Sequence, residues 1–67
     1  METKDILEMV SYQQQSTKIT ILRGRDFYAR CLNGRLQQRT ELDTAEHSKK
    51  LYLRAIQFEE KVGSKLL

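Results

Sequence analysis

Hydrophobic positions in the first fifteen residues follow a helical spacing. Thr3 could cap a helix there, and Asp5 would lie in its first turn, where the helix dipole favours an acid. The residues that would share one face of this helix are Ile6, Met9, Val10 and Gln13. The pattern therefore predicts a short N-terminal helix.

A second helix is predicted near the C-terminus. Asp43 followed three residues later by Glu46 fits a capping box with Asp in place of Ser or Thr. Gly63 is suited to end the helix in a left-handed conformation. Apolar residues recur between these two signals at helical spacing, at Leu51, Ala55, Phe58 and Val62. This segment predicts an amphipathic helix.

The middle of the chain predicts a β-hairpin. The β-branched residues in the run 17–21 resist helix formation. Asn33-Gly34 is the strongest short-range signal for a two-residue hairpin turn. Such a turn would place Cys31 opposite Leu36, Ala29 opposite Gln38 and Phe27 opposite Thr40. On the other face it would place Arg30, Arg35 and Arg39 beside Tyr28.

A helical alternative exists for the same segment. Ile21, Arg25, Tyr28 and Leu32 are spaced by 4, 3 and 4 residues, and Asn33-Gly34 could close a helix instead. Gly24 and the Thr-Ile run count against it, since both lower helix propensity. We therefore expect an α+β class for the single domain 1–67, with an N-terminal helix, a basic β-hairpin and a C-terminal amphipathic helix. The alternative is an all-α helical hairpin.

Size and composition narrow the setting. A chain of 67 residues buries roughly 60% of its unfolded surface, so its core is thin and a homodimer would enlarge it. The N-terminal residues lack the basic stretch and the apolar run of a secretory signal. No apolar run in the sequence approaches the ~20 residues needed to span a membrane. The single cysteine, Cys31, cannot form an internal disulfide. These features lead us to expect a cytoplasmic protein with no membrane partner.

The sequence offers little for catalysis or metal binding. The one histidine, His47, lies among polar residues of the predicted C-terminal helix, and Cys31 is suited to a half-buried core position. One Cys and one His fall short of a structural zinc site. The glycines match neither a phosphate loop nor a dinucleotide motif. We therefore expect no enzymatic activity, no cofactor and no metal.

Positive charge is concentrated in the centre of the chain. Residues 16–40 carry a net charge of +5, and five of the six arginines fall between positions 23 and 39. The planar guanidinium of arginine can donate two parallel hydrogen bonds to a phosphate, and aromatic rings can stack on unpaired bases. This composition predicts a regulatory protein that binds DNA or RNA through Arg23, Arg25, Tyr28, Arg30, Arg35 and Arg39. The same charges could instead keep the hairpin soluble, or meet an acidic protein surface.

A protein-binding function is the alternative. Two short helices and a Leu66-Leu67 end carry more apolar surface than one thin core would hide. Small proteins of this kind act as homodimers, adaptors, chaperones or inhibitors that dock a helix into a groove. The residues predicted for this contact are Leu51, Ala55, Phe58, Val62 and Leu66.

Overall fold

The computed structural model describes residues 5–67 as a five-stranded antiparallel sheet with one helix on one of its faces. The strands follow the order β4-β3-β2-β1-β5. The elements are β1 (Glu8–Gln14), β2 (Thr17–Arg23), β3 (Phe27–Leu32), β4 (Arg35–Glu41), α1 (Ala45–Lys61) and β5 (Lys65–Leu66). The chain is mostly sheet, so the predicted fold class is wrong, and so is its all-helical alternative.

The N-terminal helix is replaced by strand β1. Val10 and Tyr12 both face α1 and pack in the core cluster beneath it. Residues two apart share a face in a strand, whereas in a helix they point in different directions. In so short a segment both periods fit the apolar positions. Pairing with β2 along the whole strand, from Glu8 opposite Arg23 to Gln14 opposite Thr17, decides between them. The predicted cap, Thr3, lies outside the described residues.

The Asn33-Gly34 turn is present, with φ angles of 51° and 81°. Cys31 faces Leu36 as predicted, but the pairing then shifts by one residue at a β-bulge that leaves Gln37 without a partner. The rest of the predicted register is therefore wrong, because Ala29 faces Arg39 and Phe27 faces Glu41. Residues beyond the bulge point to the face opposite the one expected.

The C-terminal helix lies where its spacing indicates, although its cap differs. Thr44, not Asp43, is the N-cap, and its hydroxyl accepts a hydrogen bond from the His47 backbone N–H at 3.2 Å. The Asp43 carboxylate instead pairs with the ring of His47. Gly63 follows the helix with a φ of 83°, the left-handed conformation expected for a helix stop.

Buried side chains form two clusters, one on each face of the sheet. The cluster beneath α1 contains Tyr12, Ile19, Ile21, Tyr28 and Tyr52. The cluster on the opposite face contains Leu22, Phe27 and Ala29, with Ile6 and Cys31 packed against it. The sheet therefore buries apolar residues on both sides, although α1 covers only one.

A polar cluster attaches the start of α1 to the sheet. Glu8 on β1 accepts hydrogen bonds from Arg23 Nε at 2.6 Å and from Lys49 Nζ at 2.8 Å. These hydrogen bonds lower the pKa of the Glu8 carboxyl, with the larger effect from Lys49 and the smaller one from Arg23. Ser48 is buried and donates to the Gly24 carbonyl at 2.9 Å. Because the folded pKa of Glu8 is depressed, its contribution to stability is lost as the pH falls through that pKa.

Replacing Gly24 with alanine is expected to destabilise the protein by about 1–3 kcal/mol. A Cβ there would overlap the Phe27 ring, with Cδ1 at 2.6 Å, and would lie 2.8 Å from the Asp5 carbonyl oxygen. Urea unfolding measures the loss. The double variant Gly24→Ala with Phe27→Leu should lose less than the sum of the two single losses, because the smaller side chain makes room. An unchanged urea midpoint for Gly24→Ala would contradict this packing.

Candidate binding groove

A groove of about 340 Å³ runs between α1 and the β3–β4 side of the sheet. It arises because α1 packs chiefly on β2 and β3 and leaves the α1-facing side of β4 uncovered. We call it the α1–β4 groove. Its lining residues are Tyr28, Arg30, Gln38, Leu51, Arg54, Ala55 and Phe58.

The floor of the α1–β4 groove comes from neighbouring strands. Arg30 on β3 and Gln38 on β4 are register partners and point to the same face. Tyr28 lies beside them and is buried. Burial raises the pKa of the Tyr28 phenol, so its hydroxyl stays protonated at neutral pH. The floor thus presents a guanidinium, an amide and a neutral phenol.

The wall of the α1–β4 groove is one stripe of α1. Leu51, Arg54, Ala55 and Phe58 recur at the i, i+3, i+4, i+7 spacing that places side chains on one helical face. Leu51 and Ala55 are half-buried, whereas Phe58 is 53% exposed. The wall therefore offers an exposed aromatic ring beside aliphatic side chains, with one arginine in the same stripe.

Three of the five residues predicted for partner contact, Leu51, Ala55 and Phe58, come together in this wall. Val62 is exposed at the C-cap of α1. Leu66 lies in β5, which pairs with β1 at the opposite edge of the sheet from β4. The structure therefore separates Leu66 from the three residues of the wall.

A buried carboxylate lies next to the floor. Glu59 is only 1% exposed, and neither of its side-chain oxygens has a hydrogen-bond partner within residues 5–67. The nearest cation is Arg30, whose Nη2 lies 3.9 Å from Glu59 Oε1. At that distance the attraction is coulombic, without a hydrogen bond. Arg30 Nε is itself buried and has no hydrogen-bond partner among the described residues, whereas the Arg30 side chain as a whole stays 27% exposed and lines the groove.

The arginines predicted to bind nucleic acid do not form one surface. Arg23 is held by Glu8 and also donates to Ser48. Arg39 pairs with Glu41 at 2.6 Å, and its guanidinium lies 4.1 Å from the centre of the Phe27 ring, on the face opposite Arg30. The bulge at Gln37 causes this separation, so the expectation that Arg39 would share a face with Arg30 is wrong.

The two remaining predicted arginines are both exposed. Arg25 lies in the turn between β2 and β3, and Arg35 lies at the start of β4, opposite Leu32. Arg54, which lines the groove, was missed by the sequence reasoning. A signal for it existed, because it stands three residues after Leu51 and four before Phe58.

A second cavity, of about 420 Å³, lies on the sheet face that α1 leaves open. Its charged lining residues are two acids and two bases, which leaves no preferred sign of charge. The full lining is Asp5, Leu7, Arg25, Asp26, Phe27 and Arg39. The α1–β4 groove differs, because both of its charged lining residues are arginines.

Within residues 5–67, α1 is too short and too polar to cross a bilayer. Comparison of the chain with protein-family models, with curated proteins and with solved structures finds no match.

Proposed function

We propose that this protein is a non-enzymatic adaptor or inhibitor whose α1–β4 groove binds a segment of another protein. The observation that carries the proposal is the exposed Phe58 ring in a stripe with Leu51 and Ala55. Large aromatic side chains that line a groove are typical anchors of protein contacts. Burial of the Phe58 ring and its neighbours would supply the affinity.

Charge supports an acidic partner. The charged side chains lining the groove are Arg30 on the floor and Arg54 on the wall. Arginine binds carboxylates through two parallel hydrogen bonds. A segment that carries an apolar and an acidic side chain therefore complements the groove.

Nucleic acid suits this groove less well. Tyr28, which was expected to stack on bases, is buried and presents little ring face. Arg23 and Arg39 are engaged by carboxylates, so fewer arginines of the central segment remain for a phosphate backbone. Leu51 and Ala55 favour an apolar side chain over a polar base edge. These features support protein over nucleic acid as the partner.

Photo-crosslinking in cells tests the proposal. A photoreactive phenylalanine analogue in place of Phe58 is expected to crosslink to a discrete protein. The same analogue in place of Leu53 should not, because Leu53 is 45% exposed on α1 but outside the groove. Excess unlabelled wild-type protein should compete for the crosslink, and the Arg54→Glu variant should compete poorly.

Two results would count against the proposal. Equal crosslinking from both positions would show that the groove has no selectivity. A crosslinked species that disappears on nuclease treatment would identify nucleic acid as the partner.

A further inference from the structure

Strand β4 is an uncovered edge of the sheet. It is the terminal strand in the order β4-β3-β2-β1-β5, and most of its residues are exposed. The opposite edge differs, because β5 pairs with part of β1. Over the described part of the chain, β4 therefore presents an edge of seven residues whose outward backbone groups have no strand beside them.

This edge borders the α1–β4 groove. Gln38 belongs to β4 and also lines the groove, opposite the α1 stripe that carries Arg54 and Phe58. A strand added beside β4 would direct every second side chain to the α1 side of the sheet. Those side chains would enter the groove, while the backbone of the added strand would form hydrogen bonds with the outward N–H and C=O groups of β4.

We propose that the partner segment binds in an extended conformation and adds to the sheet as a sixth strand along β4. Its alternate side chains enter the α1–β4 groove, an apolar one against Phe58 and an acidic one against Arg30 and Arg54. This inference rests on the proposed function and specifies the conformation and chemistry of the partner. Backbone hydrogen bonds supply affinity in this mode, and alternate side-chain pockets supply specificity.

The length of the groove sets how many residues of the partner segment can contact it. Leu51 and Phe58 are seven residues apart on α1, which corresponds to about 10 Å along the helix axis. A strand covers that distance in about three residues. The core of the recognised segment is therefore short, with about two side chains facing the groove.

Charge favours a foreign segment over a second copy of the chain. Strand β4 carries two arginines, Arg35 and Arg39, against one acid, Glu41. Glu41 is already paired with Arg39. Pairing β4 with β4 of another copy would bring two positive strands together, whereas an acidic segment would neutralise the edge.

The test is selection of peptides from a displayed library of random dodecapeptides on the full-length protein. Selected peptides are expected to alternate acidic and apolar residues. Methylating the backbone nitrogens of a selected peptide one at a time should weaken binding about tenfold or more at every second position. This alternation arises because only every second N–H of an added strand faces β4.

Matched variants locate the peptide in the groove. Arg54→Glu and Phe58→Ser should each weaken binding about tenfold or more. Lys50→Glu and Leu53→Ser should have little effect, because these exposed residues of α1 lie outside the groove. Circular dichroism of the four variants confirms that they are folded.

The outcomes separate the two proposals. Peptides that need Arg54 and Phe58 but show no alternation on N-methylation would overturn strand addition and leave the groove function standing. Failure to select peptides, or equal binding by all four variants, would overturn both. Salt-sensitive binding of a 20-nucleotide oligothymidine that Arg54→Glu abolishes would make nucleic acid the occupant. If sedimentation shows a dimer that depends on β4, the occupant of the groove would be a second copy of the chain.

Discussion

Arg30→Met is expected to destabilise the fold by about 3–5 kcal/mol, because it leaves the buried Glu59 carboxylate without a counter-charge. A domain of 67 residues has a free energy of unfolding of only about 3–10 kcal/mol, so much of the variant would be unfolded. Equilibrium urea unfolding followed by circular dichroism measures the loss. Arg35→Met is the matched control, since Arg35 is exposed on the neighbouring strand, and it should change stability by less than about 0.5 kcal/mol.

Replacing Glu59, the other member of the pair, should not lower the free energy of unfolding. Glu59→Met removes a carboxylate whose oxygens have no hydrogen-bond partner in the described chain, and fills its space with an apolar side chain. Arg30 remains 27% exposed and can reach water. We expect Glu59→Met to be neutral or to raise the free energy of unfolding by about 1–2 kcal/mol. Equal destabilisation by Arg30→Met and Glu59→Met would contradict this picture and indicate a net favourable ion pair.

Ile21→Ala is expected to reduce the free energy of unfolding by about 2–5 kcal/mol. Ile21 is fully buried in β2, where it lies between Val10 and Arg30 in the register. The truncation leaves a cavity that the paired strands on both sides cannot close. Thermal unfolding should show a midpoint lowered by roughly 10 °C or more.

Leu36→Ala is the control for Ile21→Ala. Leu36 is 55% exposed on β4, so its truncation should change stability by less than about 0.5 kcal/mol. A small loss for Ile21→Ala together with a large loss for Leu36→Ala would place the core elsewhere.

The sequence located the elements that depend on local chemistry. Asn33-Gly34 and Gly63 occupy the left-handed conformations that their side chains permit, so both could be predicted from the residues alone. The β1–β2 turn was missed for the same reason. Its left-handed residue is Gln15, which carries no such signal.

The N-terminal strand could not be distinguished from a helix by pattern. Val10 and Tyr12 satisfy the two-residue period, while Ile6, Met9 and Val10 satisfy the helical one. Tertiary pairing with β2 settles the choice, and single-sequence reasoning does not include that pairing.

The candidate site was predicted in pieces that were assigned to different functions. Leu51, Ala55 and Phe58 were assigned to partner contact, whereas Tyr28 and Arg30 were assigned to nucleic acid. The structure brings all five into one groove, because α1 folds back over the strand that bears Tyr28 and Arg30. The environment of Glu59 could not be foreseen either, since an acid on an amphipathic helix is normally expected to face water.

The bulge at Gln37 makes β4 one residue longer than the stretch of β3 that it pairs with. Deleting the Gln37 codon in frame would join Leu36 directly to Gln38, so Gln38 would stay opposite Arg30 and Arg39 would stay opposite Ala29 in an uninterrupted ladder. A deletion one or two positions further along β4 would instead move the residues on one side of it to the other face of the sheet, unless the bulge closed in compensation. The bulge is thus a place where β4 can lose a residue and keep both of its faces.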